Sequence, residues 1–336
     1  VIGNLVSIVS PFFAGLLMAY LLYIPENKIE RSYKKAKPRF IRKNARKFAI
    51  LTTYVIAILI LVIIINFILP VLIESINELI GNMENYYNRV IETYNNLPED
   101  SIFKTEKVYN ALKELQNFDV QQYLSLDRIT GYVKGVVGFA TGIFDVFVAF
   151  VVSIYILAER NEILSFFKKL TKSMFKEKTV NKIERYFYRA NGVFFKFISS
   201  QFIDALIVGI LATIVMKILN IKYATLLGFA IGLFNMIPYF GAIIAISISA
   251  IITLITGGLS KAAIMLVSII ILQQIDANII NPKIIGDSLE ISPILVILSV
   301  TIGGGYFGVI GMFLGVPVAA ILKILVNDYI DNKLQV

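Results

Sequence analysis

The chain has 336 residues, 57% of them hydrophobic and 16% charged, with a formal net charge of +9 and a mean hydropathy of +0.76. Soluble domains carry about 45–50% apolar and about 25% charged residues, so lipid must be the solvent for much of this surface. The sequence has no Cys and no His, which excludes disulfides, thiolate nucleophiles, His-ligated metals, H-E-x-x-H metalloproteases and rhomboid-type proteases that need a histidine base.

A GxGD-type aspartyl protease motif is also missing, because Asp287 follows Ile285-Gly286. No enzyme, metal or cofactor is expected. A membrane span needs about 20 apolar residues. In chain order the stretches 1–24, 48–73, 136–158, 201–219, 223–256, 262–280 and 293–326 meet that test or exceed it. Residues 1–24 lack the pattern of a signal peptide. The chain opens on Val rather than Met, so a preceding segment is expected.

Lys and Arg in the connecting segments set the orientation. Residues 25–47 hold ten of them against two Glu, and residues 159–200 hold ten against four Glu. Both are expected in the cytoplasm. Residues 74–134 carry ten acids and six bases and are expected outside. The basic runs flank spans and have no aromatic stacking platform, so nucleic acid is not an expected partner.

In the outer segment Ile73, Ile76, Ile80, Met83, Tyr87, Val90, Tyr94 and Leu97 step by three and four, an a/d pattern. Asn95-Asn96-Leu97-Pro98 breaks it, and Val108, Leu112, Leu115 and Phe118 suggest a second helix. The expectation is a helical hairpin, packed on the membrane part or on a neighbouring subunit. Within the second basic region Val180, Ile183, Phe187, Ala190 and Phe194 form one stripe. It suits either a helix lying at the anionic leaflet or one leading into the next span.

Residues 223–256 are too long for one untilted span and are interrupted at Asn235-Met236-Ile237-Pro238-Tyr239-Phe240-Gly241. Pro238 removes a backbone donor and Gly241 tolerates unusual dihedrals. Broken helices of this kind build substrate or ion sites in transporters; a simple proline kink is the other reading. Gly303-Gly304-Gly305 divides residues 293–326, and Gly304, Gly308, Gly311 and Gly315 project onto one helical face suited to close packing. Between these segments Gln274, Asn278 and Asn281 project within about 60° of one another, with Gln273 and Asp276 adjoining and Pro282 following. Asp145 and Asp204 sit alone inside apolar runs. Polar groups in spans usually face a bundle interior or a wet path. Asp204, Asn235, Pro238, Tyr239, Gly241, Gln273, Gln274, Asp276, Asn278, Asn281 and Pro282 are therefore the expected translocation residues. Asp276, Asp204 and Asp145 are the candidate proton or cation groups, and Asp276 has no Lys or Arg between Lys261 and Lys283.

The fold class expected is an all-α polytopic membrane protein with about 7–8 transmembrane segments, broken or re-entrant in the C-terminal half. Four regions divide it. Residues 1–73 hold the first spans and basic loop, 74–135 the outer helical segment, 136–200 a span and basic helix, and 201–336 the transport core.

The sequence resembles the AI-2E family of bacterial membrane transporters, the group named for autoinducer-2 export. The matching stretches are Ala19-Tyr20-Leu21-Leu22 with Pro25, Ser153-Ile154-Tyr155-Ile156-Leu157 and Ile237-Pro238-Tyr239-Phe240-Gly241. They continue with Gln273-Gln274-Ile275-Asp276-Ala277-Asn278, Asn281-Pro282-Lys283-Ile284-Ile285-Gly286, and Gly308-Val309-Ile310-Gly311 with Val316-Pro317. Asp276 stands where the family commonly has Glu. The resemblance implies a multi-pass protein of the bacterial inner membrane that exports a small polar solute and in some relatives exchanges Na+ or Li+ for H+; a homo-oligomer is also expected. The absence of a Walker A sequence leaves an ion gradient or downhill flow as the energy source. A non-transporting scaffold or sporulation-type membrane protein is the third reading. Counting crossings from outside after Leu219 puts the C-terminus in the cytoplasm.

Overall fold

The computed structural model describes residues 2–96, 98–99, 101, 104–106, 109–110, 113, 141–285 and 291–334. Among them every regular element is helical: α1 (Ile2–Lys34), α2 (Arg39–Lys43), α3 (Ala45–Ile63), α4 (Leu69–Gly81), α5 (Met83–Asn95), α6 (Thr141–Met174), α7 (Glu177–Ile218), α8 (Ala224–Asn235), α9 (Phe240–Ile275), α10 (Asn281–Ile285) and α11 (Pro293–Leu334). The expected second outer helix, with Val108, Leu112, Leu115 and Phe118, lies outside the described residues, as do 136–140 of the third span and Gly286.

Among the described residues four helices are long and apolar enough to cross a membrane: Ala45–Gly81, Glu177–Ile218, Phe240–Ile284 and Pro293–Asp331. Their apolar faces are widely exposed, most of all along α3, where only 6% of the apolar window is buried. This is the composition of a multi-pass membrane protein, whose outward face meets acyl chains as apolar as itself.

Helices α1, α3 and α6 form one packed group, with Ala19, Ile50, Tyr54 and Leu157 at its centre. The basic amphipathic stripe belongs to α7, a continuous helix of 42 residues that at 1.5 Å per residue is about 63 Å long. Nothing between Glu177 and Ile218 breaks it, so the stripe leads straight into the span. Lys168–Glu184 (2.9 Å) ties α6 to α7 and Arg189–Asp328 (2.6 Å) ties α7 to the end of α11. The tail of α11 therefore lies on the same side as the basic segments, here called the basic end.

The opposite end carries α4 and α5, joined at Asn82. Their a/d residues are half-buried, and Leu72 and Tyr86 beside them are buried. Lys222, in the turn after α7, bonds Glu78 of α4 (2.6 Å) and Tyr86 of α5 (2.7 Å), and Tyr86 meets Tyr223 at 3.0 Å. Helices α4 and α5 are thus latched to the turn between α7 and α8.

Both broken regions are helical hairpins. The chain turns between α8 and α9 at residues 236–239, where Tyr239 adopts φ 64°, ψ −54°, a conformation costly for a residue with a Cβ. A Cβ on Gly241 would collide with the Phe234 carbonyl, so the two arms meet backbone to backbone there. Helix α9 then reverses at Gly258 (φ 81°, ψ 176°), leaving a first arm, 240–257, and a second arm, 259–275. Helix α11 reverses at Gly308 (φ 61°, ψ −148°); both conformations are open to glycine alone. Gly303 faces the Gly311 backbone, Gly315 approaches the Ser299 carbonyl and Gly304 packs on Met312. The four expected packing glycines therefore lie on two antiparallel arms and their turn. They do not share one helical face, because the 3.6-residue period stops at Gly308.

Candidate functional site

Helix α7 is the spine of the C-terminal half. Gly209 of α7 packs on Gly228 and Gly232 of α8: a Cβ on Gly228 would come within 2.6 Å of the Thr213 amide nitrogen, and one on Gly232 within 2.7 Å of the Ala205 carbonyl oxygen. This close antiparallel contact sets Asp204 beside Asn235. At the other face of the same core Val208, Ala212 and Met216 meet Leu227, Ile231, Ala245, Met265, Ile269 and Leu272.

At the inner limit of that core the polar side chains converge. Asn235 Nδ2 donates to Asp204 Oδ2 at 2.9 Å, and Gln201 Nε2 donates to the Asn235 carbonyl at 2.8 Å. The second bond satisfies an acceptor left open by the end of α8. The Asp276 carboxyl lies close enough to act electrostatically on Asp204. Asp204 is fully buried, and Asp276, Asn235 and Gln201 are nearly so. Asp276 opens a single wide π turn, Asp276–Ile280, between α9 and α10, a distortion often found at functional sites.

The pair is incompletely satisfied. Oδ1 of Asp204, Oδ1 of Asp276 and Nε2 of Gln273 are buried with no hydrogen-bond partner among the described residues. Among the described residues no lysine or arginine acts on either carboxyl. Two neighbouring buried carboxylates repel unless something positive lies between them, and one shared proton or one bound monovalent cation removes the repulsion. Counting 1.5 Å per residue, Asn235, Asp204 and Asp276 lie about 17–27 Å along their helices from the opposite end.

The other expected residues are placed differently. Asp145 is exposed near the start of the described part of α6, away from this cluster. Gln274 and Asn278 are exposed and bond each other, Asn278 Nδ2 donating to the Gln274 backbone carbonyl at 2.7 Å. Gln273 and Asn281 are half-buried, and Pro282 is exposed. Pro238 is half-buried at the turn, with Tyr239 exposed beside it. Gln201 was not anticipated, although it precedes Asp204 by three residues and so shares its helix face. The Gly228-x-x-x-Gly232 pair was legible too, as a close-packing motif.

Comparison with known proteins agrees with this architecture. The AI-2E family transporter profile matches residues 2–331. The putative transport protein YueF of Bacillus subtilis is 24% identical over 94% of this chain and 83% of its own length. A sodium-lithium/proton antiporter of Halobacillus andaensis is 23% identical over 73% of this chain and 67% of its length. The AI-2 transport protein TqsA of Escherichia coli is 28% identical over 37% of this chain and 36% of its length. Such partial matches recur, the chain spanning 39% of a further Bacillus subtilis relative. With a profile that covers nearly every residue and a helical, lipid-facing fold, this chain belongs to the AI-2E family of membrane transporters.

Proposed function

We propose that this transporter is driven by ion exchange at the Asp204–Asp276 pair, which binds a proton in one orientation and a monovalent cation, Na+ or Li+, in the other. The observation that carries this reading is a pair of buried carboxyls from α7 and the end of α9, Asp204 accepting from one amide and neither meeting a cationic side chain among the described residues. A group so placed exchanges its counter-charge at low electrostatic cost, because no fixed cation competes. The similarity to the sodium-lithium/proton antiporter over 73% of the chain supports the same reading. Export of a small polar solute of the autoinducer-2 kind is the second reading, favoured by the free Gln273 amide donor beside the pair and by the similarity to TqsA. In both, the cytoplasmic side is the basic end and the bond from Arg189 to Asp328 supports a cytoplasmic C-terminus. Self-association in the inner membrane belongs to the reading as well, supported by the bare apolar flank of α3.

Proteoliposomes with an internal pH dye test it. An imposed Na+ or Li+ gradient is expected to change internal pH with the parent chain. With Asp276→Asn or Asp204→Asn that response is expected to fall at least about tenfold, the range of a lost proton-transfer group. Proton-driven solute counterflow without cation-driven pH change would select the second reading. Unaltered exchange in both variants would overturn the role of the pair.

A further inference from the structure

The first arm of α9 runs from the carboxyl pair toward the opposite end, and its buried residues are Gly241, Ala245, Ser249 and Thr253. They recur every fourth residue, so they lie on one helix face, and all four are small. Ser249 and Thr253 are fully buried, and neither hydroxyl has a hydrogen-bond partner among the described residues. A hydroxyl on a helix can always turn back to a carbonyl of its own preceding turn. Others in this protein do so: Thr213 to Gly209, Thr256 to Ile252 and Thr301 to Ile297, each at 2.8 Å. Ser249 and Thr253 forgo that local bond and leave their oxygens in the interface.

Their position along the arm adds a second argument. Counted from Gly258, Thr253 and Ser249 lie about 7 and 13 Å in and Asp276 about 27 Å in, while Asn235 and Asp204 lie about 17 and 21 Å from the same end of their own helices. The hydroxyls fill the interval between the end of the molecule and the pair. What closes that interval is apolar: Leu227 and Ile231 of α8 and Met265 and Ile269 of the second arm share a core with Ala245. A face made only of small side chains leaves room for water once these neighbours draw back, and its hydroxyls then find partners.

We propose that the Gly241–Ala245–Ser249–Thr253 face is the route by which water, protons and small hydrated monovalent cations reach the carboxyl pair from the end that bears Lys222. The proposal rests on the reading that the pair exchanges ions, and it adds the path and two of its residues. The competing role is close helix packing alone, in which case the hydroxyls are dispensable and never wet.

The absence of Cys in the chain allows a direct test in proteoliposomes. Ser249→Cys and Thr253→Cys are treated, during cation-driven turnover, with a small cationic methanethiosulfonate added on the Lys222 side. Ile251→Cys is the comparison, since Ile251 lies on the same arm with 55% of its surface exposed to the lipid side. Modification is read by blocking of a later mass tag. Both route cysteines are expected to react at least about tenfold faster than Ile251→Cys, because a charged reagent reacts only where water enters. The doubly changed Ser249→Ala/Thr253→Val chain is expected to lose most of its flux at unchanged thermal unfolding. Neither cysteine reacting, or full flux in the double variant, would overturn the route. Repeating the labelling in Asp276→Asn separates the two ideas. Exchange that survives Asp276→Asn counts against the pair, whereas unreactive cysteines in a chain whose exchange needs Asp276 count against the route alone.

Discussion

Two regions of this protein each bury two acidic side chains, and they neutralise them in different ways. Near the basic end, Glu26 is fully buried and Glu30 nearly so, and Arg160 of α6 bonds both, at 2.6 and 2.9 Å. Lys34 adds a second partner for Glu30 at 2.7 Å. Arg46 of α3 donates to the Leu157 carbonyl at 3.1 and 2.8 Å, so α1, α3 and α6 are braced by fixed cations. In the C-terminal core Asp204 accepts from the Asn235 amide, and buried Asp276 lies close enough to act on it. A guanidinium that bridges two carboxylates holds their charge constant and stiffens the helices that carry them. A pair without one must take up a mobile charge. The first arrangement suits a frame, the second an exchange site.

Removing the cation from the frame is the largest way to break this contrast. Arg160→Ala leaves Glu26 buried without its counter-charge and Glu30 with Lys34 alone, and truncating one partner of a buried pair costs about 3–5 kcal/mol. The expected result is a large drop in thermal unfolding temperature in detergent and in the yield of folded protein. Burial pushes the Glu26 carboxyl above its ordinary value of 4.5 even with Arg160 beside it. A raised carboxyl favours the folded state while protonated, so its contribution falls as pH rises above that ordinary value. In Arg160→Ala the fall should be steeper, and adding Glu26→Gln and Glu30→Gln should recover much of the loss. If Arg160→Ala unfolds like the parent at every pH, the network is no frame.

The proposed exchange site depends instead on packing. Gly228→Ala would press a methyl group against the Thr213 backbone, with contacts of 2.6 and 2.7 Å to its nitrogen and Cα. Overpacking of this kind costs about 1–3 kcal/mol, and here it would also move Asn235 away from Asp204. Gly81 offers the control, since a Cβ there meets nothing within 4 Å and alanine is the better helix former. Thermal unfolding and cation-driven flux should both fall in Gly228→Ala and stay level in Gly81→Ala. Equal behaviour of the two would remove the α7–α8 contact from the account.

Much of this was legible in the sequence, and the failures share a cause. Long apolar runs and the Asn235–Gly241 interruption announce themselves through length and backbone chemistry, which are local. Asp145 and Asp204 look alike as lone acids in apolar runs, yet only the fold buries one and leaves the other exposed. That Asp204 meets Asp276 is a matter of tertiary packing, and no spacing in the chain encodes it. Projection at a constant angle failed where the helix itself changes: the turn at Gly308 divided the glycine face, and the π turn at Asp276–Ile280 follows directly on the amides. The orphaned hydroxyls of Ser249 and Thr253 were invisible for another reason. Serine and threonine in a helix are ordinary until the structure shows that their local bond is missing.

The smallest expected effect concerns the latch at the opposite end, where charge is again paired but in water. Lys222 and Glu78 lie 2.6 Å apart with 41% and 48% of their side chains exposed, and exposed pairs contribute about 0–1 kcal/mol. The Glu78 carboxylate, followed by Tyr86, raises Lys222 above its ordinary value of 10.5. A raised lysine stabilises the folded state as long as it is protonated, and the contribution is lost only as pH climbs through that alkaline region. Lys222→Met is therefore expected to lower thermal unfolding only slightly, by an amount that stays constant between about pH 6 and 8. This flat response is the opposite of that expected for Arg160→Ala, whose buried carboxylates respond across the acid side. The latch also joins α4 and α5 to the turn that leads into α8, so its loss should loosen the outer segment more than it destabilises the core. Proteolysis of intact proteoliposomes reads that directly: faster cleavage within residues 74–134 at nearly unchanged unfolding is the expected pattern. A loss of stability as large as that of Arg160→Ala would mean that the opposite end is built as a second frame.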